Sequence, residues 1–362
     1  MIDESLLLQQ LYKIREPLFI DHQKTLKRVY TLWQQCVAHK CTHEQLCAHA
    51  ADNLTKWQEL LETKKLIIPD AAYQVLAVDG SQVYPNRHDG IRVAVINIGG
   101  VWLKYDHVAQ IQLFCEPFVL LDPVEEVSTA VVDCERHARE LSYSVEKSMQ
   151  YQKNHDKRLL VLFDGSLIFW HLQENSLLRE RYFARYCAQV DQLRQENTWC
   201  AWYVSLPKSR DLVHLAQAYA GMAGEHDLFI GHCCDDDLMA LWLLPYERTI
   251  IFESMVKLAL DYPPLLRPYF FYINTGSEIA RIEVPAWMAG DEKIIDALAA
   301  QVLDQCEKGD GYPISLALAH EQAVVKQQDR LLLQRFLFAM ADEHAAPARI
   351  SRKQLKKQSL TI

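Results

Sequence analysis

The chain has 362 residues, 50% of them hydrophobic and 23% charged, which leaves room for one large or two ordinary buried cores and excludes a disordered or fibrous protein. Its formal net charge of −9 repels nucleic acid as a whole, so any DNA binding must rest on local basic patches or on bound cations. There is no run of 18 apolar residues, and the acidic opening MIDESLLLQQLYKI does not read as a secretory signal, so the expected location is the cytoplasm, away from any membrane.

Residues 1–70 hold no glycine and place Leu26, Val29, Leu32, Trp33 and Cys36 at three- and four-residue steps, which predicts an N-terminal region of two or three helices. They either pad the fold or form a partner surface. Ten cysteines without small-scaffold spacing read as reduced thiols. Cys36, His39, Cys41, His43, Cys47 and His49 crowd together, but a helical segment with no second clean ligand pair argues against zinc, and His232-Cys233-Cys234 is discounted in the same way. Pro69 ends the helical section.

Tyr73–Gln82, YQVLAVDGSQ, then drives a strand-like run into Asp79 and a turn. Runs at Ile91–Gly100, Val101–Tyr105 and Ile111–Phe118 follow on short connections, which predict an antiparallel meander. Pro123–Lys153 reads as one long charged helix. It leads into a second copy of the strand device, Arg158–Leu167 (RLLVLFDGSL), ending at Asp164. Helix Leu172–Arg194 and strand Trp199–Leu206 continue the alternation. Antiparallel strands followed by helix, strand, helix and strand give the expected fold class: α/β, a ribonuclease-H-like mixed sheet flanked by helices. Further on, Lys208-Ser209-Arg210 starts a helix after Pro207 and His226–Asp237 reads as a polar loop. Strands are expected at Thr249–Glu253, Tyr269–Asn274 and Ile279–Val284, then a helix at Glu292–Cys306. A long helix starts near Ser315 and carries His320. The expected divisions are a nuclease-type domain over 71–345 and a basic tail over 346–362.

Asp-Gly is a common turn former, so one such pair is unremarkable. Two pairs at the carboxyl ends of separate strands point instead to a ligand edge. Carboxylates brought close repel unless a cation lies between them, and hard oxygen donors suit Mg²⁺ or Mn²⁺.

The motifs VDGS (78–81), DGSL (164–167), PKS (207–209), RIEVP (281–285) and GYP followed by Ala319-His320 occur in the order found in the NurA family, which the chain resembles over roughly residues 71–343. NurA proteins are nucleases that process DNA ends beside the hexameric ATPase HerA. The resemblance implies a homodimer acting on DNA in double-strand break repair as a manganese- or magnesium-dependent single-strand endonuclease and 5′-to-3′ exonuclease with a two-metal site. It puts the metal-binding aspartates at Asp79 and Asp164 and a metal-binding glutamate on the intervening helix, at Glu140 or Glu146. The late tyrosine and histidine match Tyr312 and His320. Hydrolysis through two metals about 4 Å apart suits such donors. His320 would ligate metal or protonate the leaving group, and Tyr312 would stack on a base or orient the phosphate. Lys208, Arg210 and Arg281 are candidates for DNA phosphates, with Arg281 and Glu283 equally readable as an internal ion pair.

Two other classes compete. An aspartyl-phosphate phosphatase also has Asp at a strand end, but its second Asp, two positions on, is serine in both motifs here. A non-catalytic subunit that regulates a DNA-translocating ATPase remains an alternative, against which stands the presence of every matched acid, the tyrosine and the histidine.

Overall fold

The computed structural model describes residues 2–15, 22–50, 54–68, 72–86, 93–121, 127–152, 158–225 and 230–344, so the basic tail lies outside the described residues. In chain order, helices α1 (Glu4–Arg15), α2 (His22–Ala38) and α3 (His43–Cys47) precede strands β1 (Thr63–Lys65), β2 (Tyr73–Val83), β3 (Ala94–Tyr105) and β4 (Gln110–Leu120). Next come α4 (Thr129–Gln152), β5 (Leu159–Asp164), α5 (Ser176–Gln195), β6 (Trp199–Ser205), α6 (Asp211–Met222) and α7 (Asp235–Trp242). The rest comprises β7 (Glu247–Thr249), β8 (Phe252–Glu253), α8 (Lys257–Leu260), β9 (Pro268–Asn274), β10 (Ile279–Pro285), α9 (Ala286–Ala289), α10 (Glu292–Lys308), α11 (Ile314–Ala323) and α12 (Gln327–Glu343).

These elements fall into two compact units. The first comprises Met1–Pro69, Gly165–Ile168 and Ala201–Gly311. Its strands run in the order β1, β7, β9, β10, β6, all antiparallel, with β8 also on β9. The N-terminal helices do not pack alone: Val29, Leu32, Trp33 and Cys36 of α2 share a core with Leu212 and Leu215 of α6, Leu238 and Met239 of α7, and Phe270 and Tyr272 of β9.

The second unit comprises Asp70–Asp164, Phe169–Cys200 and Tyr312–Ile362. Its sheet is mixed: β2, β3 and β4 form the expected antiparallel meander, and β5 lies parallel to β2 on the other side, after the crossover through α4. This is the ribonuclease-H-like order. All of Leu159–Phe163 is buried, as in a strand covered on both faces, and only the terminal Asp164 is exposed. Helix α4 packs on β2 and β3 through a stripe containing Val132, Cys134, Ala138, Leu141, Val145 and Ser148 at helical spacing.

Three expectations are corrected in this unit, the first being the turn after Asp79: β2 continues as strand through Asp79-Gly80-Ser81 to Val83, paired with β3 throughout. The expected break between the runs 91–100 and 101–105 is absent: β3 (Ala94–Tyr105) is one strand that passes straight through Gly99-Gly100, and 91–92 lie outside the described residues. Those glycines admit neighbours and do not break the strand: a Cβ on Gly99 would lie 2.3 Å from the Ala323 backbone nitrogen, and one on Gly100 2.3 Å from the Phe114 ring. The long helix carrying His320 stops at Ala323, because Val324 turns extended (φ −55°, ψ 123°), and α12 begins after it. Gly99→Ala is therefore expected to unseat α11 and to destabilise the protein by about 1–3 kcal/mol, the usual cost of overpacking. Thermal unfolding checks this, and an unchanged melting temperature would mean that α11 does not rest on Gly99.

Candidate active site

Both oxygens of Asp79 are engaged. The amide of Gly80 donates to Oδ1 at 2.8 Å, and Nδ1 of His320 lies 2.8 Å from Oδ2, joining residues 241 positions apart. Burial first, and then the charge of Glu140, push the Asp79 carboxyl above its ordinary range, against the opposing bonds from His320 and Gly80.

The helix that brings His320 here is anchored by the same strand. Ser81 of VDGS donates from Oγ to the Ala323 carbonyl and accepts the Val325 amide at 3.1 Å. Nδ2 of Asn97 on β3 donates to the same carbonyl at 2.8 Å. A carbonyl left over at the end of α11 is thereby satisfied, one turn beyond His320. His320 itself remains largely exposed, with 67% of its side chain accessible.

Glu140 is the acid that α4 turns inward. It is 8% exposed and stands beside Leu141 and Ser144 in the buried stripe. Oε1 pairs with Nη1 of Arg136, and Oε2 lies 3.4 Å from Nδ1 of His137. Arg136 also reaches the Gly80 carbonyl at 3.4 Å. Glu146, six residues on, points away from this stripe: its side chain is 64% exposed beside Lys147. Of the two glutamates, Glu140 is thus the one whose charge bears on Asp79.

Asp164 ends β5, whose last registered partner pair with β2 is Ala77 and Leu162. Asp79 and Asp164 each stand two residues beyond that pair, at corresponding positions on the two parallel strands, and Asp79, Glu140, Asp164 and His320 do not bring three ligand atoms within 4.8 Å of one another. Gly165 then takes a positive φ of 93°, a turn that suits glycine.

In the first unit, the rest of DGSL is held by the RIEVP motif. Oε2 of Glu283 accepts the Ser166 hydroxyl at 2.7 Å and the Leu167 amide at 2.8 Å. This corrects Arg281 as a DNA contact: it is 5% exposed, bonded to Glu283 and Asp211 at 2.7 Å each and stacked over the Phe270 ring. Buried between two acids, its charge faces no solvent, and the internal ion pair is the reading that holds. Lys208 is exposed, whereas Arg210 precedes α6 and bonds the Cys234 thiol. Both belong to the first unit. Tyr312 stands in the turn ahead of α11, so the helix separates it from His320 by roughly 9 Å along its axis.

Among the described residues, the metal-capable group with three ligand atoms within 4.8 Å of one another is Cys234, Asp236 and Asp237 at the start of α7. It includes neither His232 nor Cys233, and the cysteines and histidines of 36–49 form no such group. The expected loop over 226–237 in fact ends as α7 begins at Asp235, with Asp237 capping the Cys234 amide. No helix among the described residues is long and apolar enough to cross a membrane.

A family model for the NurA domain matches residues 73–325, from the first residue of β2 to just past α11. The chain belongs to the NurA family. Among solved structures it is similar to the NurA nuclease from Sulfolobus solfataricus, at 13% identity and a TM-score of 0.56, covering 95% of this chain and 98% of that one. A NurA structure bound to dAMP and manganese is similar at 10% identity and a TM-score of 0.35, covering 90% and 95%. No curated protein sequence matches. The NurA match contains Asp79, Glu140, Asp164, Tyr312 and His320. It also contains Arg136, His137, Asn97 and Gly99, whose parts in the site sequence reasoning did not assign. The one signal available was the four-residue spacing of Arg136 and Glu140, which allows an ion pair on a helix.

Proposed function

We propose that this NurA protein is a divalent-metal-dependent deoxyribonuclease that hydrolyses phosphodiester bonds in single strands and at duplex ends, as an endonuclease and a 5′-to-3′ exonuclease, with manganese as cofactor. The observation that supports it most is the placement of Asp79. It lies within β2, two residues past the last β2–β5 pair as Asp164 does on β5, within hydrogen-bond reach of His320 and under the charge of the buried Glu140.

The donor set fits such a metal. Asp79, Glu140 and Asp164 offer hard carboxylate oxygens, the chemistry that Mn²⁺ and Mg²⁺ accept. Bound there as a pair, divalent ions would supply an activated water and neutralise charge on the phosphate. The chain's own groups do the rest. Ser81 and Asn97 hold the end of α11 and so fix His320. The carboxylate of Asp79 accepts from Nδ1–H of His320, whose ring is largely exposed, and a protonated His320 gives its Nε2 proton to the leaving oxygen. Lys208 is a contact for DNA phosphates, and Tyr312 orients the strand. Family membership supports a homodimer working with a HerA-like ATPase in end processing and cytoplasmic repair.

The test is a cleavage assay on linear single-stranded and duplex DNA with Mn²⁺ and Mg²⁺ titrated. Metal-dependent product is expected. No cleavage with either metal, alone or with the ATPase partner, would leave the non-catalytic regulatory subunit as the reading.

A further inference from the structure

Arg136 belongs to none of the roles above, yet it is a cation in direct contact with Glu140 and under the charge of Asp79. Its Nη1 takes Oε1 of Glu140 and also reaches the Gly80 carbonyl, the residue next to Asp79. The charges of Glu140, Asp79 and Asp133 all act on it. Its Nε is buried without a hydrogen-bond partner, so charge rather than a closed set of bonds keeps the guanidinium in place. Glycine at 80 admits this arrangement: a Cβ there would lie 2.6 Å from Oε1 of Glu140 and 2.8 Å from Cγ of Arg136.

We propose that Arg136 is a competing cation of the carboxylate site: its guanidinium occupies the same Glu140 oxygen that a metal ion would take, so its charge raises the metal concentration at which the site fills. The inference rests on the metal-site reading of Asp79 and Glu140. The opposite effect, in which an arginine supports metal binding by orienting a ligand, is the weaker one here. Oε2 of Glu140 keeps its neighbour His137 when Arg136 is removed, so the carboxylate retains a positioning group. What is lost is mainly a positive charge a few ångströms from the incoming ion.

The experiment is Mn²⁺ binding to the full chain without DNA, followed by the electron paramagnetic resonance of free Mn²⁺. It compares wild type, Arg136→Gln, Arg136→Lys and Asp79→Ala. Arg136→Gln is expected to lower the half-saturating concentration by about tenfold or more, whereas Arg136→Lys, which keeps the charge, stays within about threefold of wild type. Weaker or unchanged binding in Arg136→Gln overturns the proposal. If that variant does not fold, Arg136→Met, which keeps the aliphatic stem, carries the same expected tightening; failure of both to fold assigns Arg136 to the integrity of the fold and also overturns it. The metal-site reading fails separately, and takes the inference with it, if wild type binds no Mn²⁺ or if Asp79→Ala binds it as wild type does.

Discussion

Asp79→Asn is expected to abolish manganese-dependent DNA cleavage while leaving the fold at least as stable as before. Asparagine keeps the size and one oxygen, so contacts to Gly80 and His320 can largely persist, but it removes the negative charge. The activity lost should exceed the roughly 100-fold that removal of a merely supporting group costs a metal site. Stability should move the other way. Burial and Glu140 already make ionised Asp79 unfavourable in the folded protein, and a neutral amide relieves both. Cleavage rates and melting temperatures measured in parallel check the pair of outcomes. An Asp79→Asn protein that cuts at the normal rate would remove Asp79 from the chemistry, and one that melts well below wild type would make Asp79 a structural group.

The second large effect concerns two glutamates on one helix. Glu140→Gln should depress cleavage on the same scale as Asp79→Asn, because it neutralises a buried acid that borders Asp79. Glu146→Gln should leave the rate within about twofold, since exposed substitutions away from special features change little. Six residues on an α-helix correspond to a rotation of about 240°, so a stripe that buries position 140 turns position 146 to solvent. Side-by-side single-turnover rates decide it. Equal, full activity in both variants would place the helix acid of the site elsewhere.

Much of the second unit was legible because its signals are local. An apolar run ending in an exposed acid marks the end of β5 at Asp164, whereas the same Asp-Gly-Ser signal at Asp79 lies inside β2, which runs on to Val83. The meander and the single crossover helix followed from short connections and a long glycine-free segment. What escaped were features set by close approach between distant segments. Gly99-Gly100 looks like a strand breaker in sequence, yet it sits mid-strand because the end of α11 and the ring of Phe114 fill the space beside it. The break at Val324 carries no proline or glycine. It becomes intelligible only once Ser81 and Asn97 are seen to hold the Ala323 carbonyl. Arg281 was ambiguous for a related reason, since a basic residue on a strand faces DNA or a buried acid according to partners, here Asp211 and Glu283, that periodicity does not reveal.

The imidazole that meets Asp79 comes from a helix near the far end of the chain, 241 positions downstream. Contacts of such sequence separation form late, after the entropy of closing a long loop has been overcome. A nascent chain on the ribosome can thus pair β2 with β5 and turn Glu140 inward long before His320 has been synthesised. Its acids are assembled without His320, so on the proposed reading hydrolytic competence waits until α11 has been made. A fragment clipped between Lys308 and Ile314 would, by the same logic, stay inert toward DNA.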